Sequence, residues 1–288
     1  VASGNYKHPL IKTMKLYLET KDFTLTGESF QLLHDRDLDM LVTDPQPEDL
    51  GKYYESDNYI SHTDAKKSLV DKIYQTVKVY NLKRKLALIN SYSSTDRSLL
   101  DVGAGTGDFL WVAEKQGWKI SGVEPSQLAK HKAKEKGLEL YADLDQLPQQ
   151  KFDVITLWHV LEHLPDLDRQ ISKLIGLLSD SGTLVVAVPN FKSYDANFYK
   201  SFWAAYDVPR HLWHFSRNSI EVIFAKYGMK VVKTKPMIFD AFYVSLLSEK
   251  YRSGKPNFLK AFWIGLKSNI SGIRSKEFSS LIYVIKRD

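Results

Sequence analysis

The densest chemistry in this chain lies in Leu99-Leu100-Asp101-Val102-Gly103-Ala104-Gly105-Thr106-Gly107-Asp108. Glycines let a backbone approach a ligand closely, and a helix start supplies N–H groups. Spacing then selects the ligand. A dinucleotide fingerprint, Gly-x-Gly-x-x-Gly, would put its third glycine at 108, but that position is Asp108 and the third glycine is Gly107. An acid there would repel a pyrophosphate. No Gly-Lys-Ser/Thr follows, so a P-loop is excluded as well. Glu124 falls where the next strand should end, and a carboxylate there can accept both hydroxyls of an unphosphorylated ribose. Asp143 follows a third strand, where an acid can take an adenine amino group. Three acids around one bend suit a ligand with cationic and hydroxyl groups and no phosphate.

The elements that position these groups are legible from periodicity. Ser98 to Val102 reads as a buried strand, and a helix is expected from Asp108 to Gln116. Trp118 to Glu124 is the next strand. Ser126 should cap a helix that runs to Lys136 and stops at Gly137. Leu138 to Tyr141 and Phe152 to Trp158 follow as strands. Leu167, Ile171, Leu174 and Leu178 mark an amphipathic helix, and Gly182 to Val188 a β-rich strand. This alternation implies a parallel sheet with helices on both faces. Ahead of it, residues 22–44 look β-like, with Phe23 to Thr26 and Leu38 to Thr43 as short runs. A helix is expected over Ser61 to Ser91, with Ser61 or Thr63 as its cap. After it come an irregular aromatic stretch, Phe191 to Phe215, and a helix over Ser216 to Tyr227. A strand over Met229 to Lys235, mixed helix and loop over 240–275, and a last strand from Phe278 to Lys286 complete the chain.

Asp101-Val102-Gly103-Ala104-Gly105-Thr106-Gly107, Val123-Glu124-Pro125-Ser126 and Phe152-Asp153-Val154-Ile155, in that order, resemble a class I S-adenosylmethionine-dependent methyltransferase. Val160-Leu161-Glu162-His163-Leu164-Pro165-Asp166 is similar to the bacterial small-molecule subgroup that includes ubiquinone-type O-methyltransferases, and Arg210 to Ser216 also resembles that family. The match covers most of residues 97–236. The resemblance implies a Rossmann-like α/β fold with a seven-stranded sheet, its last strand antiparallel, and with N-terminal and C-terminal helical additions. It implies S-adenosyl-L-methionine as cofactor. Asp101 with Gly103, Ala104, Gly105 and Gly107 would hold the methionine end. Glu124 and Pro125 would meet the ribose, and Asp143 with Ala142 and Leu144 the adenine. His159 would lie near cofactor and acceptor.

Methyl transfer from a sulfonium is a displacement from an activated donor, so the protein's main task is alignment with water excluded. An oxygen or nitrogen acceptor also needs a base. His211 is the first candidate, with His159 and His214 behind it, since histidine titrates near neutrality. The rings of Trp203, Tyr206, Trp213 and Phe215 could wall an acceptor pocket or pack a small core, and Phe239, Phe242 and Tyr243 could complete a lid. His159, Glu162 and His163 have metal-like spacing; the resemblance to quinone O-methyltransferases implies Glu-x-x-Glu-His there for a divalent cation, and with His159 at the first position one hard oxygen ligand is lost. No metal is expected, and bracing of the strand–helix junction is the favoured role.

Composition sets the outer limits. The chain has 288 residues, 26% charged and 43% hydrophobic, with net charge +6, ordinary for a globular protein. It has no cysteine, which excludes disulfides and Cys-ligated zinc and agrees with a cytoplasmic setting. Some relatives carry a Cys-rich zinc module ahead of a segment like Phe30 to Tyr54, and that module is degenerate here. The expected division is a strand-bearing extension over 1–60 and a methyltransferase domain over 61–288, with lids around 191–215 and 240–275. The expected partner is a small-molecule methyl acceptor. No membrane span is expected. Nucleic acid is not expected, since the basic residues are scattered and Leu157-Trp158-His159-Val160 lacks a base-flipping motif. A non-catalytic cofactor binder and a nucleic-acid methyltransferase are the alternatives.

Overall fold

The computed structural model describes residues 14–54, 69–92 and 96–288. In chain order the elements are β1 (Lys15–Lys21), β2 (Ser29–Asp35), β3 (Met40–Asp44), α1 (Leu69–Asn90), β4 (Ser98–Val102), α2 (Asp108–Glu114), β5 (Lys119–Val123), α3 (Gln127–Lys134), β6 (Phe152–Trp158), α4 (Leu167–Leu177), β7 (Leu178–Pro189), α5 (Tyr194–Tyr199), β8 (Trp213–His214), α6 (Arg217–Ala225), β9 (Met229–Pro236), α7 (Asp240–Ser253), α8 (Phe258–Ser275) and β10 (Ser280–Arg287). They form two compact units. One is drawn from Val1–Glu55, Pro189–Ile223 and Asp240–Ser279, the other from Ser56–Val188, Phe224–Phe239 and Ser280–Asp288. The stretches expected as lids thus group with the strands of the extension.

The second unit holds a six-stranded sheet in the order β5-β4-β6-β7-β10-β9. β4 pairs in parallel with β5 and β6, and β6 with β7. β9 and β10 are antiparallel. β4 and β6 are buried almost throughout, as expected of parallel strands covered on both faces. Their register is clipped at one end: the Ser98 N–H donates to Asp153 Oδ2 (3.0 Å) and the Asp153 N–H to Ser98 Oγ (2.9 Å). The expected seventh strand, Leu138 to Tyr141, is reduced to a single parallel bridge, Tyr141 to Val123. It would be an edge strand, and such strands are commonly short. Here the chain turns away at once, because Asp143 caps a short 3-10 turn over Leu144–Gln146. Ser126 caps α3 as expected, accepting from the Ala129 N–H.

The first unit contains a four-stranded sheet, β1-β2-β3-β8. Over its described residues the N-terminal addition ahead of α1 is therefore mainly strand, with one short 3-10 turn at Gly51–Tyr53, rather than the expected helix. Phe23 to Thr26 is a turn, not a strand. The Asp22 carboxylate accepts from the N–H groups of Thr24, Leu25 and Thr26 (2.9, 3.2 and 2.9 Å), and such an Asx-type grip overrides the β propensity of Phe-Thr-Leu-Thr. Residues 240–275 resolve into α7 and α8. The proposed caps Ser61 and Thr63 lie outside the described residues.

Candidate functional site

The bend after β4 sits where open α/β sheets bind ligands, beyond the carboxyl ends of their strands. Gly103 takes φ +70°, and a Cβ there would meet Val160 Cγ2 at 2.4 Å, so only glycine fits. Gly105 takes φ +55° and faces open space. Four N–H donors of the bend are already spent. The Gly103 and Ala104 N–H groups both donate to the Val123 carbonyl (2.8 and 3.0 Å), and that of Gly107 to the Ala104 carbonyl (3.0 Å). The Gly105 N–H donates to Glu124 Oε2 (2.8 Å). A phosphate needs such donors, so their occupation disfavours it on this bend. The repulsion expected from Asp108 does not, because Lys78 and Lys136 each place a Nζ at 2.7 Å from its carboxylate. Burial alone would raise this carboxyl, but the two lysines hold it below its usual range.

Glu124 is buried and directly follows β5 as a splint. Its second oxygen accepts the Ser126 N–H (2.9 Å), so the carboxylate ties the bend to the start of α3. Each oxygen has a further lone pair for a ligand hydroxyl. Pro125 beside it is exposed.

Asp101 is 2% exposed and accepts from Thr156 Oγ1 at 2.6 Å. Burial pushes its carboxyl up to about 7; the Thr156 hydroxyl and the Lys85 charge pull the other way, and Glu124 adds to the rise. The native state therefore keeps this proton up to about pH 7, while the unfolded chain releases it near 3.8. Between those values the native state binds more protons, so Asp101 makes stability fall as pH rises, with no further slope above the window. Asp101→Asn, which can still accept from Thr156, should flatten that slope. Denaturant unfolding of both proteins at several pH values checks this, and an unchanged slope would refute it.

Asp143 is exposed, and its carboxylate serves the turn it caps: it accepts from the N–H groups of Asp145 and Gln146 and from Gln146 Nε2. The Ala142 N–H is taken by Gln146 Oε1 (3.2 Å), and Leu144 is half-buried. His159 follows β6 with φ +58°, and its Nδ1 lies 3.2 Å from Oε1 of the fully buried Glu162. A carboxylate can only accept, so Nδ1 carries a proton, and in the neutral ring Nε2 carries the lone pair.

His211 and His214 belong to the other unit. His211 Nδ1 donates to the Ala205 carbonyl (2.9 Å), and its Nε2 is 4.0 Å from Asp207 Oδ2. The Thr43 hydroxyl spends its one proton on the His211 carbonyl (2.7 Å), so at 2.9 Å it must accept from His214 Nε2. That nitrogen is a donor, which makes His214 a brace between β3 and β8. The aromatic rings expected to wall a pocket are core instead. Trp203, Tyr206, Trp213 and Phe215 are all buried, and the Trp203 indole donates to Asp195 (2.7 Å). Of the expected lid residues, Phe242 packs on Phe262, Tyr243 is exposed, and Phe239 packs edge-on to Tyr80 in the second unit.

Motif spacing missed Thr156, Lys85, Lys78 and Lys136. Thr156 was within reach, since parallel pairing of β4 with β6 sets it opposite Asp101. The lysines come from α1 and from the turn after α3 and carry no local signal.

A family profile described as a methyltransferase domain matches residues 74–234. The ubiquinone biosynthesis O-methyltransferase of Histophilus somni (strain 2336) is 34% identical over 116 residues, 35% of this chain and 49% of that protein. That of Coxiella burnetii (strain Dugway 5J108-111) is 33% identical over 109 residues, 34% of this chain and 47% of that protein. The chain thus spans about half the length of these curated relatives. Among solved structures, magnesium protoporphyrin IX methyltransferase from Synechocystis PCC 6803, with bound SAH, superposes with a TM-score of 0.54 at 16% identity. The superposition covers 82% of this chain and 97% of that one, a likeness of fold.

Proposed function

The chain belongs to the methyltransferase domain family, and from that premise we propose that it moves a methyl group from S-adenosylmethionine to oxygen or nitrogen of a small-molecule acceptor. The observation that carries the reading is the bend after β4, whose N–H groups at Gly103, Ala104, Gly105 and Gly107 are spent internally while carboxylates stand around it. This donor-poor, acid-rich surface fits a ligand with an ammonium group and ribose hydroxyls.

When bound, S-adenosylmethionine supplies an electrophilic methyl whose leaving group is a neutral thioether. The chain's own residues do the rest. Asp101 and the bend at Gly103–Gly107 would hold the methionine end, and Glu124 the ribose hydroxyls, with Pro125 alongside. Asp143, Ala142 and Leu144 would border the adenine, with the Asp143 carboxylate itself committed to its turn. The proton-accepting role goes to His159. Its Nε2 carries the lone pair, and the buried Glu162 carboxylate orients the ring and would stabilise the imidazolium. His211 has the same tautomer and is the competing base, whereas His214 is a brace. A cysteine-free chain agrees with action in the cytoplasm.

Transfer of label from methyl-labelled S-adenosylmethionine to a panel of phenols, carboxylates and amines tests the activity, and no labelled product from any of them would contradict it. With the acceptor so found, His159→Asn should lower kcat by about 100-fold or more with cofactor affinity unchanged. His211→Asn run in parallel decides the base: a large fall there with little effect at 159 would move the role to His211.

A further inference from the structure

Helix α8 is built inside out. Its buried side is made mostly of small residues, Ala261, Gly265, Ser268 and Gly272, with Ile264 the one larger apolar residue among them. A Cβ on Gly265 would meet Phe242 at 2.7 Å, and one on Gly272 would meet Phe278 at 2.7 Å, so close packing fixes that side inward. The bulky apolar residues point out: Leu259 is 77% exposed, Ile273 63%, Trp263 57%, and Phe262 and Ile270 just over half. At 3.6 residues per turn, these five and the half-buried Leu266 fall within an arc of about 100°. Single exposed apolar residues are ordinary, but a contiguous stripe marks an interaction surface.

Along this segment the charge has one sign. No acidic residue occurs between Glu249 and Glu277, while Lys250, Arg252, Lys255, Lys267, Arg274 and Lys276 do. Lys260 is ion-paired to Glu249 (3.1 Å). On the helical projection Lys260, Lys267 and Arg274 run along one edge of the stripe. Two copies of this face would bring like charges together, which disfavours self-association. Among the described residues no helix is long and apolar enough to cross a membrane. An apolar stripe with Trp and Phe, edged by cations, is the pattern of a helix lying in the plane of a lipid interface.

We propose that the outward face of α8 docks on an anionic lipid bilayer, with Leu259, Phe262, Trp263, Ile270 and Ile273 entering the interface and the flanking lysines and arginines meeting the headgroup charge. The stripe lies outside residues 74–234, where the methyltransferase profile matches, and it uses none of the residues named for cofactor binding or proton transfer.

Co-sedimentation of the full chain with extruded vesicles tests it. Binding is expected to equimolar phosphatidylcholine and phosphatidylglycerol, to fall with added salt, and to be weak or absent on phosphatidylcholine alone. Leu259→Glu with Trp263→Glu should reduce binding by about tenfold or more. Lys267→Glu with Arg274→Glu, which spares the stripe, should reduce it and its salt dependence. The unfolding profile of each variant shows whether it is folded; should the first pair fail to fold, the second pair and the salt series still decide. Wild-type protein left in the supernatant with mixed vesicles would overturn the proposal, as would binding unchanged in the folded variants. So would a lipid-free dimer on gel filtration that Leu259→Glu with Trp263→Glu dissociates.

Discussion

Glu124→Ala should weaken binding of S-adenosylmethionine by about 100-fold or more, roughly 2.7 kcal/mol. The carboxylate holds the Gly105 N–H with one oxygen and the Ser126 N–H with the other. Hydrogen bonds to a charged acceptor are worth about 1.5–3 kcal/mol each, and water entering the gap would recover part of that. The substitution therefore removes a ribose acceptor and also the splint that fixes the bend to α3. Glu124→Gln is informative beside it. Its amide can satisfy one backbone N–H but turns a donor toward the other, so it should bind weakly too. Calorimetric titration measures both, and an affinity unchanged in a folded Glu124→Ala protein would show that this carboxylate meets neither ribose nor bend in the bound state.

The largest stability effect is expected at Arg210→Ala, a loss of about 3–5 kcal/mol at neutral pH. Arg210 is 1% exposed and reaches Asp207 (2.6 Å), Asp22 (3.1 Å) and the Tyr53 carbonyl (3.2 Å). It thereby joins the β1–β2 turn, the end of the extension and the 207–210 stretch within one unit. Removing it leaves the fully buried Asp22 carboxylate without its cation. Burial alone would raise Asp22, but the Thr26 and Thr24 N–H groups and then the Arg210 charge bring it below its usual value. A depressed carboxyl stabilises the fold above its unfolded value of 3.8, and that stability is lost as pH falls through the folded value. The gap between wild type and variant should therefore be full at neutral pH and close in acid. Denaturant unfolding followed by tryptophan fluorescence measures it. A loss below about 1 kcal/mol at pH 7 would mean the ion pairs are not retained in solution, since typical surface pairs contribute no more than that.

The central sheet was legible because its signals are local: buried apolar runs, glycine turns and a capping Ser126 each specify their own element. The bend and its acids followed, since residue type and spacing alone separate Gly-x-Gly-x-Gly from a dinucleotide turn. What escaped depends on distant partners. Phe23 to Thr26 has strand composition, and only the grip of Asp22 makes it a turn. β1 was missed because most of its residues are exposed, leaving little apolar alternation to read. The aromatic stretch from Trp203 to Phe215 has the composition of a pocket and of a core alike. Burial decides between them, through acceptors such as Asp195, which also takes the hydroxyls of Ser268 and Ser279 (2.6 and 2.7 Å). The inverted face of α8 was hidden for a related reason, since its hydrophobic period is clear in the sequence but not which side the small residues turn inward.

Calorimetric titration of the full chain with S-adenosylmethionine, with NADH in a parallel cell, bears most directly on the bend that all of this rests on. Saturable binding of S-adenosylmethionine in the micromolar range is expected, with none for NADH. No heat with millimolar S-adenosylmethionine, or NADH binding that S-adenosylmethionine does not displace, would contradict it.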